Sequence, residues 1–106
     1  MSKTHRLGED RLYNLLIRGR EVTKAYLKKG HKMSIEGQIA RIHEEVSETY
    51  RAFRNGDREN LLEEASDIVF ATITLLDLLE IPHDEFTQAM EQKLELLEKR
   101  SGVKDW

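Results

Sequence analysis

The residues best suited to chemistry lie between Glu44 and Asp67. Glu44-Glu45-Val46-Ser47-Glu48 is followed, after a spacer of fifteen residues, by Glu64-Ala65-Ser66-Asp67. Each half holds acids at i and i+3, the spacing that stacks two carboxylates on one side of a helix. Adjacent carboxylates repel one another unless a cation or a proton offsets their charge. Two such pairs on neighbouring helices would bring four carboxylates to one point, a site for a hard cation such as Mg²⁺. One pair alone, in a chain this rich in Glu, reads as solvated surface. Two pairs bracketing a turn read as a site.

The elements that must position these acids are helices. Leu12, Leu15, Leu16, Val22 and Tyr26 predict a first helix over about Glu9 to Lys29, stopped by Gly30. Residues 1–8 are polar and are expected to fray. After a short connection from His31 to Met33, Ser34 can cap a second helix. Its expected core stripe is Ile35, Ile39, Ile42, Val46, Tyr50 and Phe53. Asn55-Gly56-Asp57 then turns the chain so tightly that helices two and three must be antiparallel neighbours. Helix three is expected over about Arg58 to Glu80. It is apolar nearly all round from Ile68 to Leu79 and so demands burial on several sides. Ile81-Pro82 breaks it and opens helix four, with Phe86, Met90, Leu94 and Leu97 on one face and Gly102 at its end. The expected fold is all-α: one domain over 1–106, four helices, assembling into an oligomeric helical bundle.

Composition narrows the function. The 106 residues carry a formal net charge of −3, without the basic footprint of a nucleic-acid binder. There is no cysteine, which removes disulfides and thiolate metal sites. No apolar run reaches transmembrane length, and Met1-Ser2-Lys3-Thr4-His5 lacks the apolar core of a secretory leader. The expectation is a soluble cytoplasmic protein, without nucleic acid or membrane as partner.

The acids leave the expected apolar stripes at matching offsets. Glu45 and Glu48 fall about 100° and 160° to one side of the stripe on helix two, and Glu64 and Asp67 do the same on helix three. No basic residue stands at i+4 from Glu48, Glu64 or Asp67; Ala52, Ile68 and Ala71 occupy those positions. On helix four, Lys93 and Arg100 share a flank and could offset phosphate charge left over after a metal ion. The histidines form no i,i+4 pair, and Glu80 to His83 straddles Pro82, which removes a di-iron site. Phosphate-cradling glycine loops and nucleophile elbows are absent.

Glu44-Glu45-x-x-Glu48, then Glu64-x-x-Asp67 within Glu63-Glu64-Ala65-Ser66-Asp67-Ile68-Val69, with Lys93 on the following helix, resembles the signature of the MazG-like all-α nucleoside triphosphate pyrophosphohydrolases. The likeness spans about Ser34 to Arg100. It implies hydrolysis of a (deoxy)nucleoside triphosphate to the monophosphate and pyrophosphate, in a homodimer or homotetramer, with Mg²⁺ or Mn²⁺ in its place. Glu45, Glu48, Glu64 and Asp67 would ligate the ion. Glu44 would orient water or, with Glu45, take its proton, and Lys93 and Arg100 would contact phosphates. Gln38, Tyr13 and Asn14 are candidates for the base. Phosphoribosyl-ATP pyrophosphatase, of histidine synthesis, is similar at Asn55-Gly56-Asp57-Arg58-Glu59 and at Glu64-Ala65-Ser66-Asp67. Its Tyr-His pair is replaced here by Phe70-Ala71, which favours a nucleotide-pool enzyme. The alternative of another class is a helical dimerisation module without catalysis, whose acids are surface.

Overall fold

The computed structural model describes residues 3–30 and 32–102; His31, in the expected first connection, lies outside them. Four helices follow in order, α1 (Lys3–Lys28), α2 (Ile35–Arg54), α3 (Arg58–Leu78) and α4 (His83–Ser101), with no strand among the described residues. Helix α1 begins at Lys3, before the expected Glu9.

Local chemistry sets the boundaries. Ser34 caps α2 by accepting the Gly37 amide at 2.9 Å. At the other end Asn55 and Gly56 close the helix, with Gly56 left-handed at φ 67° and the Asp57 amide returning to the Ala52 carbonyl. Asp57 then caps α3 by accepting the Asn60 amide at 3.0 Å. Helix α3 ends on the same motif with a less suitable residue. Glu80 adopts φ 58°, and the Ile81 amide reaches the Leu76 carbonyl. Pro82 is the N-cap of α4 rather than its first helical residue.

Helix α3 is the centre of the chain. Helix α2 packs antiparallel to it, and α1 packs along another of its faces. The α1–α3 seam joins Gly19 to Phe70, Thr23 to Thr74 and Arg20 to Asp77. A Cβ on Gly19 would stand 2.8 Å from the Phe70 ring, so the glycine is what lets that ring approach α1. Helix α4 packs against no other described helix. The Cα radius of gyration is 16.4 Å, against about 13 Å for a compact chain of this length.

The buried faces differ from the expected stripes. On α2, Val46 is 52% exposed and Phe53 66%, whereas Glu45 is 7% exposed and Gln38 and Ala52 are buried with it. On α3 the buried residues are Glu64, Ala71 and Ile73, while Leu62 and Val69 are exposed. The flank carrying the acids is therefore the one turned into the α2–α3 seam. Ala52 and Ala71 are small enough to let two helices close there, and the bulky stripes are left facing outward.

Candidate active site

Within the α2–α3 seam, ligand oxygens of Glu45, Glu48 and Glu64 lie within 4.8 Å of one another. Helical register explains the meeting. Glu45 and Glu48 are one turn apart on α2, and the tight turn at Gly56 brings Glu64, in the second turn of α3, back to their level. Glu45 and Glu64 are buried and Glu48 is half-buried. One side-chain oxygen of each buried acid, Oε2 in both cases, lacks a hydrogen-bond partner.

Three carboxylates at this spacing cannot all remain charged without a counter-ion. The burden falls on Glu64, whose pKa rises to about 7. Burial contributes most, followed by hydrogen bonds with Glu48 and Glu45 and then by the negative charge of those two groups. Below about pH 7 Glu64 therefore holds a proton, which offsets part of the repulsion among the three. What a proton does here a divalent cation does better. The donor set is all hard oxygen, and the orphaned oxygens need a partner. The residues fit a metal.

The other sequence-derived candidates are more dispersed. Asp67 continues the line one turn beyond Glu64 but is exposed and stands outside the trio, on the edge of a groove. Glu44 is exposed and faces a shallower hollow with Lys32 and Ser34. Gln38 is buried and donates from Nε2 to the Ala71 carbonyl at 2.9 Å. Tyr13 and Asn14 are exposed and line neither cavity. Lys93 and Arg100 are exposed on α4, the helix that packs against no other described helix.

Alongside the trio runs a groove of about 440 Å³, between α1, α3 and the start of α2, with Val22, Tyr26, Phe70, Gln38, Arg41 and Asp67 among its walls. Arg41 was not singled out from the sequence. Its position three residues after Gln38 and four before Glu45 was the available signal.

The family profile of phosphoribosyl-ATP pyrophosphohydrolase matches residues 13–94. The match covers α2 and α3 whole, most of α1 and more than half of α4. The chain belongs to the phosphoribosyl-ATP pyrophosphohydrolase family. That family sits within the MazG-like all-α pyrophosphohydrolase superfamily, as the acid spacing implied. No curated protein and no solved structure matches the chain. The family is one of metal-dependent pyrophosphohydrolases of nucleotide-like substrates, and the chain carries a cluster of acidic residues in the α2–α3 seam. No helix among the described residues is long and apolar enough to cross a membrane.

A second buried charge cluster lies at the far end of α3. Asp77, with a side chain 6% exposed, faces Arg20 Nε at 3.3 Å and His83 Nε2 at 3.8 Å. Burial raises its pKa, while Arg20, His83 and Lys24 pull it down. This cluster ties α1, α3 and the first residue of α4 together and lines neither cavity.

Proposed function

We propose that this protein hydrolyses (deoxy)nucleoside triphosphates to the monophosphate and pyrophosphate, with Mg²⁺ as the resident ion and Mn²⁺ as a substitute. The carrying observation is the Glu45–Glu48–Glu64 trio with two orphaned buried oxygens. These three residues would hold the ion, with Asp67, one turn along, as the fourth candidate ligand. Bound Mg²⁺ supplies charge neutralisation and Lewis acidity at the phosphates. Glu44, exposed and next in sequence to Glu45, takes the proton of the attacking water, with Glu45 as the other candidate. The water oxygen bonds to the α-phosphorus, and the bond from that phosphorus to the α–β bridging oxygen breaks. Pyrophosphate leaves with the bonding electrons.

The exposed stripes on α2 and α3 and the unpartnered α4 support a homodimer or homotetramer. In that assembly Lys93 and Arg100 reach the phosphates of a neighbouring copy's site. The cellular role is clearance of nucleotides from the cytoplasmic pool. A second reading, phosphoribosyl-ATP as substrate in histidine synthesis, is favoured by the description of the matched family. It uses the same bond cleavage.

The discriminating experiment is a pyrophosphate-release assay with Mg²⁺, offering each canonical dNTP and phosphoribosyl-ATP in parallel. Turnover of a dNTP is expected, abolished by Glu48→Gln with helicity retained. Activity on phosphoribosyl-ATP alone would transfer the assignment to the second reading. Folded protein inactive on every substrate would end both.

A further inference from the structure

Helix α4 leaves the rest of the chain as an arm. It packs against no other described helix and has no buried residue along its length. The chain that leads into it is held in two separate pieces. Glu80 is left-handed at φ 58°, its amide donates to the Asp77 carbonyl at 3.1 Å, and the Ile81 amide donates to the Leu76 carbonyl at 3.0 Å. These bonds fix residues up to Ile81 to the end of α3. Pro82 instead belongs to α4, because the Glu85 amide donates to its carbonyl at 3.1 Å. The two pieces meet at the Ile81–Pro82 junction. Proline has no N–H to donate back to α3, and no backbone hydrogen bond among the described residues crosses the junction.

What spans the junction is a charge contact. His83, the first residue of α4, brings Nε2 to 3.8 Å from Asp77 Oδ1, and its imidazole is charged only when protonated. Both side chains are shielded from water, and neither His83 Nε2 nor either Asp77 oxygen has a hydrogen-bond partner. Without a directional bond, the attraction depends on the two charges alone. The groups facing Asp77 are Arg20 and Lys24 from α1 and His83 from α4, and Asp84 and Glu85 follow His83 in its own first turn. Arg20, with Nε at 3.3 Å from Asp77 Oδ1, keeps its charge at every relevant pH, so α1 keeps its hold on Asp77. Histidine is the side chain that changes charge between about pH 5 and pH 8. In stronger acid the contact ends from the other side. Burial raises the pKa of Asp77, so it takes a proton sooner than an ordinary carboxyl.

We propose that Asp77 and His83 form a pH-sensitive latch, which holds the start of α4 against the α1–α3 end while the imidazole carries its proton and lets α4 swing about the Ile81–Pro82 junction once that proton is lost. The length of the arm amplifies the motion. Lys93 and Arg100 lie about 15 Å and about 25 Å along α4 from His83, so a swing of about 10° moves them by about 3 Å and about 4 Å. Under the proposed chemistry these are the cations that meet substrate phosphates, and the latch governs their presentation; the latch itself needs no part of that chemistry. The chain has no cysteine, so Glu59→Cys and Lys99→Cys, at exposed positions on α3 and near the end of α4, give a spin-label pair without background. Dilution into excess unlabelled chain keeps one labelled copy in each assembly. Pulsed dipolar distances are expected to form one narrow population at about pH 6 and a population broader by about 4 Å at about pH 8. In His83→Leu and in Asp77→Asn the distributions at the two pH values are expected to coincide. A wild-type distribution that stays the same at both pH values, or a pH-dependent change that survives in either variant, would overturn the latch. Pyrophosphate release plays no part in this readout, so failure of the latch and failure of the catalytic proposal are told apart.

Discussion

Metal binding to the trio should be coupled to proton release from Glu64. An ion needs its carboxylates deprotonated, whereas Glu64 in the metal-free protein holds its proton up to about pH 7. For one competing proton the apparent dissociation constant is multiplied by one plus the ratio of protonated to ionised Glu64. With Glu64 titrating at about 7, Mg²⁺ affinity should fall about tenfold between pH 8 and pH 6, and about a hundredfold by pH 5. Each ion bound at pH 6 should release about 0.9 protons. A glutamate with its ordinary pKa of 4.5 would release about 0.03 at that pH and leave the affinity almost unchanged. Titration calorimetry in two buffers of different ionisation enthalpy measures both quantities. Glu64→Gln should bind the ion more weakly but flatten the pH dependence. Metal affinity that stays constant from pH 8 to pH 6 would refute the coupling and with it the placement of Glu64 beside Glu45 and Glu48. The same shift sets the stability of the metal-free fold. The folded pKa lies above the unfolded one, so the contribution of Glu64 is fully present below about 4.5 and is lost as pH rises through about 7. Saturating Mg²⁺ should remove that loss.

Other consequences concern packing and chain ends. Gly19→Ala gains about 1 kcal/mol of helix propensity but overpacks Phe70 at a cost of about 1–3 kcal/mol; denaturant melts should show a net loss in the wild type and a gain when Phe70 is also Leu. Glu80→Gly relieves the left-handed backbone at φ 58° and should stabilise the chain by about 1 kcal/mol; a lowered melting temperature would contradict it. Asp57→Ala removes the α3 cap and should cost about 1 kcal/mol by the same measurement. The folded pKa of Asp77 is raised, so its charged form burdens the fold above that pKa. Asp77→Asn should therefore be no less stable than wild type at pH 7, with any advantage shrinking in acid; a clear loss at pH 7 would mean that the Arg20 pairing outweighs burial.

Much of the site was legible beforehand, because its recognition depends on spacing. The i,i+3 pairs and the Asn55-Gly56-Asp57 turn between them were enough to anticipate Glu45, Glu48 and Glu64 at one level. Exposure of the apolar stripes was not legible. Ile39, Val46 and Phe53 have the period and hydrophobicity of a core, and a pattern of that kind indicates only that a face seeks burial, not that its own chain covers it. Arg41 and Asp77 were passed over for a similar reason. A charged residue acquires a role from its surroundings, and those come from residues distant in the chain, such as Arg20 for Asp77.

What the sequence determined by itself is the set of helices, their ends and the spacing of the acids. Hydrogen bonds from i to i+4, a serine or aspartate cap and a left-handed glycine involve only near neighbours. Only the tertiary structure decided which faces meet. The close approach at Ala52 and Ala71 turned the acid flank inward and left Asp67 outside the trio. It also joined α2 to α3 through Gln38 and left α4, beyond His83, without packing against the other described helices. Those outcomes depend on side-chain volume summed across two helices, a quantity that no single stretch of sequence contains.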